Sequence, residues 1–274
     1  MLSKNSNLAA KYILVATLFS SGMLRAQDAL TTDEVTKEWV DPREAEQRDF
    51  SNFSYYKPLY ALYGKPTSKI QLSFKYQLTK QLPLYIAYTQ LSFWDLSKKS
   101  SPFDDIIFNP EIFYRLNFER YNFLESIEFI PISHRSNGRA GMDSRSLNYS
   151  GIKINQRSDF RNWSLKTFFK AKYYFGIEDT NRDVRNYEGP WELGFSLVRY
   201  GELVFDKIEL SARAFTGGKK GLAFHRGAQE VSLSLRVLGV SFSPTLYLQY
   251  YKGYSESFLE YKKRVDQLRI GLVL

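Results

Sequence analysis

Two residues of this sequence can act together as base and nucleophile at close range, His134 and Ser136. Cysteine is absent and the only histidines are His134 and His225. Disulfides, thiolate zinc sites and cysteine nucleophiles are therefore excluded, and any imidazole chemistry has two candidates. On an extended strand, residues two apart share a face with Cα atoms about 6.5–7 Å apart. That spacing lets the imidazole lean toward the hydroxyl and take its proton. Ile130 and Ile132 read as sharing that face, so the pair is expected on an apolar surface. If the following turn centres on Gly141, antiparallel pairing sets Asn148 opposite His134, with Ile152 and Ile154 on Asn148's face. An Asn carbonyl can accept the second imidazole N–H and fix the tautomer. On spacing alone, Ser, His and Asn beside a turn are also ordinary loop residues. The elements that carry them have to decide.

Those elements read as strands. Ile70, Leu72, Phe74, Tyr76 and Leu78 alternate with polar residues, and so do Ile208, Leu210, Ala212 and Ala214, and Val231, Leu233, Leu235 and Val237. Alternation by itself fits a soluble sandwich as well as a membrane barrel. The ensemble favours the barrel. About a dozen segments recur, at 55–63, 69–79, 83–94, 108–118, 123–136, 146–156, 163–175, 191–200, 204–215, 228–238, 243–252 and 264–274. Tyr 20, Phe 21 and Trp 4 make up 16% of the chain, a content that suits two aromatic girdles at membrane interfaces. The expected fold is all-β, a twelve-stranded antiparallel transmembrane β-barrel over residues 51–274. Closure would remove the edge strands that invite aggregation. An ionised orienter facing lipid would be costly, so a neutral Asn148 fits that setting.

The N-terminus reads as a targeting segment. Lys4 and Lys11 precede the apolar run Tyr12 to Phe19, and small residues lead to a cleavage after Ala26, so residues 1–26 are expected to be a secretory signal peptide. Removing them takes away Lys4, Lys11 and Arg25 and no acid, and the net charge of +9 becomes +6. An excess of that size suits anionic lipid headgroups and does not call for nucleic acid. Residues 27–50 are polar and carry eight acids between Asp28 and Asp49, read as a periplasmic segment.

The stretch His134-x-Ser136-Asn137-Gly138-Arg139 with Ser144-Arg145-Ser146-x-Asn148 resembles the signature of outer-membrane phospholipase A. Tyr88-Thr89-Gln90, Ser100-Ser101-Pro102-Phe103, Asn109-Pro110-Glu111 and Gly253-Tyr254-x-Glu256-Ser257 extend the resemblance over nearly all of the mature chain. It implies a calcium-dependent phospholipase of the Gram-negative outer membrane, cleaving the sn-1 and sn-2 acyl esters of phospholipids and lysophospholipids near the outer leaflet. Ser136 would be the nucleophile, His134 the base, Asn148 its orienter and the Gly138 N–H an oxyanion donor. The implied calcium ligands are all oxygens: the Arg139 carbonyl, the Ser144 hydroxyl and the carbonyl of Ser100 from a second subunit. The implied assembly is a reversible, activating homodimer with Gln90 as a polar interface residue.

The sequence departs from the family pattern at Arg135, where an acid is common, at Gly141, where an acid can sit near the calcium, and at Tyr149, where Arg is common. Asp143 is a candidate substitute for the acid missing at Gly141. His225 reads as a residue of a Gly-rich loop from Gly217 to Gly227. Two other functions fit the sequence: a passive outer-membrane pore with a vestigial triad, and a barrel enzyme acting on the acyl chains of lipopolysaccharide.

Overall fold

The computed structural model describes residues 52–118, 123–201, 204–237 and 245–274. The expected signal peptide and the polar segment 27–50 lie outside these residues. The described chain is nearly all strand: β1 (Phe53–Tyr55), β2 (Tyr60–Tyr63), β3 (Ser68–Gln77), β4 (Leu84–Trp94), β5 (Phe103–Asn117), β6 (Leu124–Ser136), β7 (Ser146–Phe160), β8 (Trp163–Phe175), β9 (Trp191–Tyr200), β10 (Phe205–Gly217), β11 (Ala223–Val237), β12 (Thr245–Gly253) and β13 (Val265–Val273).

Neighbours from β2 to β13 pair antiparallel, and β13 pairs back onto β2 to close the sheet. β1 and β2 follow one another along β3, with Tyr55 opposite Phe74 and Tyr60 opposite Gln71. They are one strand interrupted around Pro58, which has no N–H to give a ladder. In the interruption Lys57 turns inward to Glu111 at 3.2 Å. Counted that way the barrel has twelve strands, as the alternation predicts. No helix among the described residues is long and apolar enough to cross a membrane; strands do the crossing.

Burial separates the membrane barrel from the sandwich. Leu72, Ile86 and Ile270 are 48%, 44% and 47% exposed, while Lys69, Glu111, Glu128 and Arg269 are 1%, 2%, 1% and 2% exposed. Apolar residues face out and charges face in, the inverse of a soluble core. Many of the inward charges are paired. Glu256 meets Arg269 at 2.6 Å and Lys69 at 3.4 Å. Glu128 meets Arg115 at 2.8 Å. Glu111 accepts the Tyr149 hydroxyl at 2.8 Å, with Lys170 at 3.6 Å. These networks fill the lumen with the protein's own side chains.

The links 95–102, 137–145, 176–190 and 254–264 gather at one end of the barrel; at the other, only Arg161 and Asn162 separate β7 from β8. The 254–264 loop is drawn into the mouth by Asp105, whose Oδ2 accepts the Ser257 hydroxyl at 2.7 Å and the N–H groups of Phe258 and Leu259 at 2.7 and 2.8 Å.

Three boundaries differ from the sequence reading by four residues or more; one is the end of β7, which runs on from 156 to Phe160. β5 starts at Phe103, five residues early, and β11 starts at Ala223, so His225 lies exposed on a strand and not in a loop. The glycines there mark a register shift between Thr216 and Gly217, past which the β10–β11 ladder continues to Ala223. Glycine in a strand signals an irregularity as readily as an end.

Candidate active site

β6 delivers His134 and Ser136, and a bulge decides which way they point. Ile130 pairs with Gly151 and Ser133 with Tyr149, so two residues, Pro131 and Ile132, stand opposite one on β7. Ile130 is 1% exposed and lies in the lumen, whereas Ile132 is 42% exposed and faces out. The expectation that these two share a face is therefore corrected. Continued without the bulge, the alternation that buries Ile130 would bury His134 as well. The extra residue flips the remainder of the strand, so Ser133 is buried and His134 and Ser136 look outward.

Across the turn, Asn148 pairs with His134 as the spacing predicts, and its Oδ1 lies 2.8 Å from His134 Nδ1. Its Nδ2 donates to the Gly176 carbonyl at 3.5 Å, which turns the amide so that oxygen faces the ring. An amide oxygen only accepts, so Nδ1 carries the proton and Nε2 is left as the acceptor a general base needs. Among the described residues no hydrogen bond yet joins the Ser136 hydroxyl to the imidazole. Such contacts are commonly loose without substrate and tighten in the complex.

Gly138 has φ +65, and a Cβ there would stand 2.8 Å from the Phe108 ring, so only glycine fits. Its N–H donates to no described residue and is open to a ligand. The loop that follows is held by Asn137, 4% exposed, which the sequence reading left without a role. Its Nδ2 donates to the Asp143 carbonyl at 2.9 Å, and its Oδ1 accepts the N–H of Arg145 at 2.9 Å and of Arg139 at 3.3 Å.

This geometry has counterparts among known proteins. The sequence model of the phospholipase A1 family matches residues 35–274. The chain is 32% identical to a phospholipase A1 of Salmonella typhimurium over 219 residues, covering 73% of this chain and 68% of that one. It is 30% identical to the Escherichia coli K12 phospholipase A1 over 221 residues, with the same coverage, 73% and 68%. Among solved structures it matches the Escherichia coli outer membrane phospholipase A with a TM-score of 0.67 at 26% identity, covering 82% of this chain and 92% of that one. The calcium-bound dimer of a Salmonella typhi outer membrane phospholipase gives a TM-score of 0.67 at 27% identity, covering 83% and 94%. The chain belongs to the phospholipase A1 family. It is a β-barrel of the Gram-negative outer membrane, and its relatives make it a phospholipid ester hydrolase.

The other sequence-predicted residues of this phospholipase fall as follows. Ser144 donates its hydroxyl to Glu178 at 2.9 Å. Glu178, from the 176–190 link, was not foreseen, because nothing in its spacing ties it to the 137–145 loop. Asp143 is exposed on the one-turn helix Gly141–Asp143. Ser100 sits in the 95–102 link with φ 68, and neither its carbonyl nor that of Arg139 accepts a hydrogen bond among the described residues. The Ser97 hydroxyl, with Lys98 beside it, lowers the Asp95 carboxyl of that link to about 2. Gln90 lies on the outer face between Leu72 and Phe108, accepts the Tyr88 hydroxyl at 3.0 Å and donates to Ser92 at 3.3 Å. No three His, Cys, Asp or Glu side chains cluster as a metal site among the described residues.

Two departures from the family pattern find a structural place. Arg135 turns into the lumen, 2.7 Å from Glu188 and 4.4 Å from the centre of the Phe258 ring, and leaves the outer face to its neighbours. Tyr149 lies between Glu111 and Lys170, each 2.8 Å from its hydroxyl. Gly176 is a further residue the sequence reading missed: at φ +59, a Cβ would stand 2.7 Å from Asn148 Nδ2 and push that amide away.

Proposed function

We propose that this chain is a calcium-dependent phospholipase that hydrolyses the sn-1 and sn-2 acyl esters of glycerophospholipids and lysophospholipids through Ser136, His134 and Asn148. The carrying observation is the 2.8 Å contact of His134 Nδ1 with Asn148 Oδ1 on the lipid-facing wall, with Ser136 two residues along. His134 Nε2 takes the Ser136 proton as the oxygen attacks the ester carbonyl, and Asn148 holds the Nδ1–H of the imidazolium that forms. The Gly138 N–H donates to the oxyanion, a contact typically worth a few kcal/mol in the transition state.

The donors present suit a hard cation. The Arg139 carbonyl and the Ser144 hydroxyl on the 137–145 link and the Glu178 carboxylate on the 176–190 link are all oxygens, the last two already 2.9 Å apart. Bound calcium would add positive charge beside the Gly138 donor. With Ser100 of the partner subunit completing the ligand set and Gln90 in the contact, hydrolysis would follow reversible dimerisation. The active face opens toward the outer leaflet, where the long links lie. The paired charges that fill the lumen speak against a passive pore.

Fatty-acid release from mixed micelles of phospholipid and detergent tests the reading, with calcium or excess chelator and with Ser136→Ala alongside. Release should require both calcium and Ser136. Release that persists in Ser136→Ala overturns the triad; release that persists in chelator overturns the metal.

A further inference from the structure

The β5–β6 ladder has a gap beside the catalytic histidine. Phe108 pairs with Ser136 and Glu111 with Ser133, but the two pairings between them, Asn109 with Arg135 and Pro110 with His134, drop out. The pattern of loss identifies the missing bond. In an antiparallel pair, directly opposed residues alternately exchange both N–H···O bonds and neither. If Pro110 and His134 are an exchanging pair, the bond from residue 110 N–H to the His134 carbonyl is shared by both lost pairings. Proline has no N–H to give. The His134 carbonyl is therefore deprived of its ladder donor by the sequence itself.

A side chain supplies the replacement. Asn109, next to that proline, donates Nδ2 to the His134 carbonyl at 2.8 Å and to the Ser133 hydroxyl at 2.8 Å. Ser133 is fully buried. Both acceptors lie immediately beyond the bulge that turns His134 outward, where the ladder is already weakened on the β7 side. One amide thus grips two successive residues of β6 at the point where the strand's facing is set.

We propose that Asn109 is a positioning residue for hydrolysis: its amide replaces the ladder donor that Pro110 lacks and holds the His134 backbone so that the imidazole meets Asn148 and reaches Ser136. The inference rests on the triad reading above. Misplacing a catalytic group by a fraction of an ångström to one ångström lowers turnover by about 10- to 100-fold while substrate affinity is kept. The loss should therefore fall on kcat and leave KM in place.

The test uses the refolded full chain with Asn109→Ala, Asn109→Asp and the double variant Asn109→Ala/Pro110→Ala, beside wild type and Ser136→Ala. Heat-modifiable gel mobility reports the folded barrel. Asn109→Ala and Asn109→Asp should lose about 10- to 100-fold in kcat with KM unchanged and the barrel folded, since ionised Asp keeps the shape but cannot donate. Their serine should also react more slowly with a sulfonyl fluoride. The double variant regains a backbone N–H at residue 110 and should recover most of the loss. Wild-type kcat in folded Asn109→Ala, or a double variant no better than Asn109→Ala, overturns the inference. Hydrolysis that survives Ser136→Ala overturns the triad reading instead and takes the inference with it.

Discussion

Along β6, Ser133 and Arg135 turn into the lumen while His134 and Ser136 turn out toward lipid, and the two faces keep their polar groups by opposite means. Inside, ionised side chains are numerous and many are met by a partner of opposite sign, as Arg135 is by Glu188 at 2.7 Å. Outside, the polar groups met here have neutral partners: His134 leans on an amide, and Gln90 is met by a phenol and a hydroxyl. Solvent explains the difference. A charge facing hydrocarbon is costly, while in the lumen a paired charge binds one wall to another. On the proposed triad, the role that an acid plays in the Ser-His-Asp arrangement falls to an amide, on a wall where a carboxylate would be a burden.

The contrast can be broken from either side. On the lumen side, Glu256→Ala strips the buried guanidinium of Arg269 and the ammonium of Lys69 of a shared carboxylate. Breaking a buried pair from one side costs about 3–5 kcal/mol. Urea unfolding in detergent should show a loss of that order, larger than the loss of activity per folded molecule. On the lipid side the ranking should reverse. Asn148→Ala should leave the unfolding midpoint nearly in place and lower kcat by about a hundredfold, the lower end of what general-base catalysis supplies. A stability loss that exceeds the activity loss there would dissolve the distinction between the faces.

The smallest effect belongs to the rim. Asp95 accepts the N–H and the hydroxyl of Ser97 at 3.0 and 2.6 Å and pairs with Lys98 at 3.0 Å. Those contacts take its carboxyl from an ordinary 3.8 to about 2. Its contribution is therefore whole above about pH 4 and is lost as pH falls toward 2. Trp94 donates Nε1 to the Ser101 carbonyl at 2.7 Å and reports on that link. Its fluorescence should be level from neutrality to about pH 4 and change below it, and Asp95→Asn should flatten the acid limb.

Much of this was legible in the sequence, for reasons that can be named. A strand between lipid and a polar lumen must alternate, so twelve segments stood out and only their ends were misjudged. The spacing of His134, Ser136 and Asn148 suffices to pair them across a turn, and pairing in register is what the structure has. The bulge at Pro131 was not legible: Ile130 and Ile132 are both apolar, and hydrophobicity cannot tell a lumenal isoleucine from a lipid-facing one. The partners of Ser144, Arg135 and Tyr149 were hidden for another reason. Glu178, Glu188 and Glu111 lie 34, 53 and 38 residues away in the chain, and only the side-by-side order of β5 to β9 brings them near. Gly176 was hidden because its importance lies in the side chain it lacks.

With Ser136 as the proposed nucleophile, the outward turn of β6 also sets how the enzyme is fed. A nucleophile at the bottom of a soluble cleft is supplied from three-dimensional solution, at a rate set by bulk concentration. A serine mounted on the outer wall of a barrel is approached sideways, by lipids diffusing within the same leaflet. Its velocity therefore follows the mole fraction of substrate in that surface, and inert lipid or detergent slows it by dilution in two dimensions, with total substrate held constant.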